Sequence, residues 1–152
     1  NDKLRIAIVG LFGRGKSHID AFGPMADVEV AALCDCDRNI LDSAARNFEQ
    51  RFMYKPKLYT DMREIFDDPE IDAVTFATPN HWHALGTVWA CQAGKDVYVE
   101  KPCSHNVWEG RQAVKAARKY NRVVQMGAQS RSSAALKEAV QKMHDGVIGE
   151  VY

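Results

Sequence analysis

Five stretches of the chain are apolar and almost unbroken: Leu4–Val9, Val28–Leu33, Ala73–Ala77, Asp96–Val99 and Val123–Met126. Strands that alternate apolar and polar residues bury one face; unbroken runs bury both. Between them lie stretches with helical spacing. After Asp37, the residues Ile40, Leu41, Ala44, Ala45 and Phe48 share one face, and Asp37 is a natural N-cap. Asp61 with Glu64, and Asn106 with Glu109, have capping-box spacing; the first helix should end before Pro69 and the second near Tyr120. Asn80 should open a helix with Leu85, Val88 and Trp89 inward and Gly94 as its stop, and Leu136, Val140 and Met143 mark a last helix stopped by Gly146. Helices alternating with doubly buried strands predict a doubly wound α/β sheet, mostly parallel, with helices on both faces. The segment 147–152, Val-Ile-Gly-Glu-Val-Tyr, reads as the start of a further strand.

Composition narrows the classes. The 152 residues make one domain, with a formal net charge of +0, which speaks against a partner held by bulk charge such as nucleic acid or an acidic membrane. No apolar run approaches the roughly 20 residues of a spanning helix, and no signal-peptide pattern is visible. The default compartment is the cytoplasm, with export left open because the chain begins at Asn1. Cys34, Cys36, Cys91 and Cys103 lack paired zinc spacing and read as free thiols.

Gly10-Leu11-Phe12-Gly13-Arg14-Gly15 follows the first strand and opens the first helix, where a dinucleotide fold places its phosphate turn. Phe12 occupies the position of the middle glycine, whose job Gly13 can take in a shifted turn. Asp35 ends the second apolar run, about twenty residues beyond Gly15. A carboxylate there accepts the ribose hydroxyls of NAD and repels the extra phosphate of NADP. With Asp37 as the cap, Asp35 is expected to be free for this role. Arg38 keeps NADP open, since a guanidinium can pair with that phosphate.

Three further segments lie at carboxyl ends of predicted strands: Ala77-Thr78-Pro79-Asn80-His81-Trp82-His83, Glu100-Lys101-Pro102 and Gln125-Met126-Gly127-Ala128-Gln129. With the glycine turn, they resemble the glucose–fructose oxidoreductase / inositol dehydrogenase family (Gfo/Idh/MocA) over essentially the whole chain. The resemblance implies an NAD(P)-binding Rossmann domain over residues 1–146, with 147–152 beginning the crossing into a C-terminal substrate domain that is missing. The cofactor would be lined by Gly10, Phe12, Gly13, Arg14, Asp35, Arg38, Thr78, Pro79, Asn80, His83, Glu100, Lys101 and Gln129. Lys101 would be catalytic, bonding a substrate hydroxyl beside the nicotinamide, with the Glu100 carboxylate orienting its ammonium. Pro102 fixes the backbone after it, by a trans or a cis bond.

The departures are Phe12 and Ala128, the latter where relatives carry a polar residue. A metal at His81 and His83, with His18 or His105, is disfavoured for want of a carboxylate or thiolate at ligand spacing; His18 reads as structural. The implied function is hydride transfer between nicotinamide and a sugar, cyclitol or polyol. Two alternatives stand beside it: an NAD-dependent glycosidase using transient oxidation, and a non-catalytic dinucleotide-binding module. Homo-oligomers would form through the missing domain.

Overall fold

A computed structural model describes residues 3–150. Six strands form one sheet: β1 (Leu4–Val9), β2 (Val28–Cys34), β3 (Lys57–Tyr59), β4 (Ala73–Phe76), β5 (Asp96–Val99) and β6 (Val124–Met126). Their order is β3-β2-β1-β4-β5-β6, and every neighbouring pair is parallel. The helices are α1 (Arg14–Phe22), α2 (Arg38–Phe52), α3 (Met62–Asp67), α4 (His83–Gln92), α5 (Val107–Lys119) and α6 (Ala134–His144).

The unbroken apolar runs are largely buried on both faces in β1, β2 and β4, whereas β5 buries only Val97 and Val99 and β6 buries none of its three residues. In β1, Ile6 and Ile8 join Leu11, Ile19, Val30, Leu33, Leu41 and Phe48 in one buried cluster. Their neighbours Ala7 and Val9 join a second cluster with Ile65, Val74, Phe76, Ala90, Val97 and Ala116. Because successive side chains leave a strand on opposite faces, α1 and α2 cover one face and α3, α4 and α5 the other. The sheet reverses its winding between β1 and β4, which opens a crevice at their carboxyl ends.

Three expectations are corrected. First, β3 was absent from the apolar pattern; it has three residues, and Lys57 and Leu58 are exposed. Second, the inward face of α4 is rotated from the expected one: Val88 packs against the core and Trp89 is half-buried, but Leu85 is exposed, and Ala84, Gly86, Thr87, Ala90 and Cys91 are buried. A Cβ on Gly86 would sit 2.8 Å from the Phe76 ring, so the small residues face the sheet and let the helix approach. The helix is also preceded by a 3-10 turn over Asn80–Trp82, with Pro79 rather than Asn80 at its cap position. Third, residues 147–150 form no strand; Val151 and Tyr152 lie outside the described residues. The last helix is present and Gly146 follows it at φ +82, but none of its residues is buried.

All three caps form, but Asp61 and Glu64 do not make the expected reciprocal box, because the Asp61 carboxylate turns to Arg63. Asp37 accepts from the amides of Asn39 and Ile40, Asp61 from Arg63, and Asn106 from Glu109. The Glu109 carboxylate reaches back to the amide of His105 at 2.9 Å.

Candidate functional site

The crevice holds a groove of about 700 Å³. Its floor is the glycine turn between β1 and α1, its far edge the end of β2, and its near wall Ala77, Thr78 and Pro79 after β4. Gly10 has φ +86, and a Cβ there would lie 2.8 Å from the backbone of Ala77 and Thr78. A Cβ on Gly15 would lie 1.8 Å from the Gly10 carbonyl oxygen. These two glycines let the turn, the helix and the neighbouring strand close on one another. Gly13, at the N-cap of α1, has nothing within 4 Å of its Cβ position, and it lines the groove. Phe12 is 72% exposed and lies against Lys16, whose Nζ is 5.6 Å from the ring centre.

Asp35 is engaged rather than free. Its Oδ2 accepts from the Leu11 amide at 2.8 Å and its Oδ1 from the Asp37 amide at 3.0 Å. Each carboxylate oxygen has a second lone pair, so Asp35 braces the glycine turn and still presents acceptors to the groove it lines. Arg38 does not line the groove; its Nε is 3.1 Å from Asp42 on the exposed side of α2. Cys34 and Cys36 flank Asp35 on the groove wall. All four cysteines are free, and burial, helped by nearby carboxylates, pushes the Cys34 thiol up to about 12, so it stays protonated.

The segment after β3 completes the wall with Thr60, Asp61, Met62 and Arg63, none of which sequence reading placed at the site. Arg63 forks onto the Asp61 carboxylate. Trp82 and Trp89 stand on the α4 side, with ring centres 6.4 Å apart. The only sequence signal for this wall was the Asp61 cap, and a three-residue strand supplies too little pattern to position it.

Beside the glycine turn on the same carboxyl edge, the Glu100 carboxylate after β5 is a buried hub. Oε1 accepts from Arg14 Nε at 2.9 Å and lies 3.0 Å from His18 Nε2; Oε2 accepts from Gln129 Nε2 at 2.8 Å. His18 Nδ1 lies 3.0 Å from the Thr75 hydroxyl. Burial works against the charged form, but the bonds from His18 and Arg14 prevail and hold the carboxyl below its ordinary value. Glu100 therefore turns inward, away from the role of orienting Lys101. Lys101 itself is exposed, and the Lys101–Pro102 bond is cis.

His83 is 1% exposed, beneath the loops rather than in the groove. Its Nδ1 is 2.6 Å from the Pro102 carbonyl oxygen and its Nε2 3.0 Å from that of Thr78. It ties the loop after β4 to the loop after β5. Asn80 and Gln129 also lie off the groove: Asn80 in the 3-10 turn, Gln129 on Glu100. Among the described residues no three His, Cys, Asp or Glu side chains gather to hold a metal ion, and no helix is long and apolar enough to cross a membrane.

The residues present fit a dinucleotide. The Arg14 and Gly15 amides that open α1 have no partner among the described residues and favour an anion. Asp35 supplies acceptors, the groove walls are largely apolar side chains, and the buried Thr78 hydroxyl has no hydrogen-bond partner among the described residues.

Comparison with known proteins agrees. The chain is 29% identical over 154 aligned positions to a glycosyl hydrolase family 109 protein of Shewanella baltica, covering 99% of this chain and 34% of that protein. It thus spans about a third of the length of the curated relatives it matches. Myo-inositol 2-dehydrogenase from Lactobacillus plantarum superposes with a TM-score of 0.86 at 27% identity, covering 98% of this chain and 43% of that one. The WlbA dehydrogenase from Bordetella pertussis, solved with NADH and UDP-GlcNAcA, gives 0.85 at 25% identity, covering 99% and 44%. The profile of the GFO_IDH_MocA oxidoreductase family, NAD-binding Rossmann fold, matches residues 4–128. Six parallel strands, a glycine turn braced by Asp35 and that match across most of the chain place it in the Gfo/Idh/MocA oxidoreductase family, as its NAD-binding Rossmann domain.

Proposed function

We propose that residues 1–146 are the cofactor-binding domain of an NAD-dependent enzyme that oxidises a carbinol carbon of a sugar, cyclitol or related polyol, and that 147–152 lead toward a substrate domain. The observation that carries this is the arrangement along the carboxyl edge of the sheet: glycine turn and Asp35 at one end, Lys101 at the other. Bound NAD supplies the hydride acceptor. Asp35 holds the ribose, Thr78 and Pro79 shape the wall, and His83 fixes the two loops against each other. Lys101 is the catalytic residue: its exposed ammonium stabilises negative charge developing on the substrate oxygen. Dehydrogenases of myo-inositol and of a nucleotide sugar among the structural neighbours support this substrate class.

Fluorescence titration of the chain with NADH tests the binding half, and a saturable change is expected; none with either NADH or NADPH overturns the reading. Incubating the enzyme with NAD and a panel of inositols and sugars tests the other half, with net formation of NADH expected.

A second reading keeps the cofactor and changes the outcome. The family 109 glycosyl hydrolase relatives favour it: the sugar is oxidised transiently, a glycosidic bond is eliminated, and the cofactor returns to its starting state. Release of a leaving group from an aryl glycoside without net NADH would select it. Assembly into homo-oligomers and a cytoplasmic location are proposals of the same standing, checked by light scattering and cell fractionation.

A further inference from the structure

Arg14 and Glu100 are 86 positions apart and meet at the junction of the glycine turn and the loop after β5. The Glu100 side chain is 5% exposed and that of Arg14 45%. The carboxylate is fixed from two other directions, by His18, itself held by the Thr75 hydroxyl, and by Gln129. Arg14 touches it with Nε alone. Among the described residues its two terminal nitrogens make no hydrogen bond, and Arg14 lines the groove. A guanidinium held at Nε keeps a planar fork of donors free, the geometry that matches a phosphate.

The need for such a donor comes from position 12. A glycine there lets the backbone approach the pyrophosphate closely; Phe12 cannot, and its ring lies out in solvent at 72% exposure. Resting on the dinucleotide reading above, we propose that Arg14, aimed by the buried Glu100, binds the diphosphate at the phosphate nearer the nicotinamide end. It takes over the contact that a glycine at position 12 would allow. Glu100 is then a positioning residue that acts through Arg14, outside the reacting centre.

Calorimetric titration with AMP, ADP and ADP-ribose separates the contributions, because only the last two carry a second phosphate. The wild-type chain should bind ADP-ribose more tightly than AMP. Arg14→Ala should weaken ADP and ADP-ribose by roughly tenfold to a hundredfold, the scale of a charge-assisted hydrogen bond, and leave AMP within about twofold. Glu100→Gln should weaken the same two ligands when Arg14 is present and add nothing to Arg14→Ala, as coupled residues do. Arg14→Lys keeps the charge, but the ammonium should settle on Glu100 and bind ADP-ribose as poorly as alanine does; this variant decides the matter if Glu100→Gln does not fold. Equal losses for AMP, additive effects of Arg14 and Glu100, or wild-type affinity in Arg14→Lys would each overturn the inference. Failure of the wild-type chain to bind any of the three overturns the dinucleotide reading itself, and this inference with it.

Discussion

The imidazole of His83 stands 2.6 Å from the carbonyl oxygen of Pro102, across 19 positions of chain, and its other nitrogen faces the carbonyl of Thr78. Both partners are carbonyl oxygens, which only accept, so the ring ties the two loops as a buried donor. His83→Leu keeps the volume and removes the donor. It should lower stability by about 2–3 kcal/mol, the cost of leaving a buried carbonyl without a partner, read from urea unfolding. It should also speed amide exchange in the loops after β4 and β5 while α2 stays protected. Uniform loosening of the whole sheet would remove His83 from its role as a tie between loops.

The three glycines of the phosphate turn should separate by substitution. Gly15→Ala places a Cβ 1.8 Å from the Gly10 carbonyl, and Gly10→Ala forces one into Ala77 and Thr78 at φ +86; both should unfold the chain or cost several kcal/mol, on the order of 3 or more. Gly13→Ala meets nothing and should leave the melting temperature nearly unchanged. A loss of NADH affinity in that stable variant would show that the diphosphate lies against Gly13. Unchanged affinity would show that Gly13 has not replaced the glycine absent at position 12.

How far the sequence disclosed this site depended on the distance over which each contact acts. The strands β1, β2 and β4 were legible because burial on both faces leaves unbroken apolar runs, and the caps at Asp37, Asp61 and Asn106 because they act within three residues. The edge strand β3 was not legible: three half-solvated residues carry almost no pattern. On α4, hydrophobicity points correctly to Val88 but also to Leu85, which lies outside because Ala84 and Gly86 take the sheet side for close approach. Glu100 illustrates the deeper limit. Its place beside Lys101 in sequence suggests that the two act together, but Glu100 is buried while Lys101 is exposed, and its partners are 82 to 86 positions away in α1 and 29 away at Gln129.

Asp68 links stability to acid. Its Oδ2 accepts from Lys57 Nζ at 2.7 Å and from the Tyr59 hydroxyl at 3.0 Å, and its Oδ1 from the Glu70 amide at 3.0 Å. The bond from Lys57 is the largest influence and holds the carboxyl at about 2, against an ordinary 3.8. The native state therefore binds this proton less readily than the unfolded chain does. The stabilisation is complete above the unfolded value and fades as pH falls from about 4 toward 2; allowing for the half-exposed Lys57, it amounts to about 1–2 kcal/mol. Asp68→Asn should lose that amount at neutral pH, and its unfolding free energy should fall less steeply than the wild type's across the acid window. Parallel pH profiles for the two proteins would count against the linkage.

Lys95 secures the same turn from the other side. Its ammonium is buried and donates to the carbonyls of Asp68 and Ile71 at 2.6 and 2.8 Å; burial lowers its affinity for the proton. Lys95→Met fills the space and leaves both carbonyls without their donor. A loss of about 2–4 kcal/mol is expected by chemical denaturation, with NADH affinity preserved in the folded fraction because the turn lies off the groove. A neutral effect on stability would mean that water replaces the ammonium.

Asp35 and Lys101 should fail in different ways, because one meets the cofactor and braces its turn while the other is exposed at the reacting end. Asp35→Ser removes the carboxylate from the Leu11 amide and removes the charge that opposes a 2′-phosphate. It should weaken NADH binding by roughly tenfold or more and raise affinity for NADPH relative to NADH. Arg38 can assist only by leaving Asp42, an exposed pair worth little. Lys101→Ala touches no internal bond, so stability and NADH affinity should hold while turnover of a polyol substrate falls by a factor of roughly a hundred to ten thousand, the range for losing a positioned acid–base or electrostatic group. If Lys101→Ala instead abolished NADH binding and spared turnover at saturating cofactor, the ammonium would belong to the cofactor site, and the search for the residue that stabilises the substrate oxygen would move elsewhere.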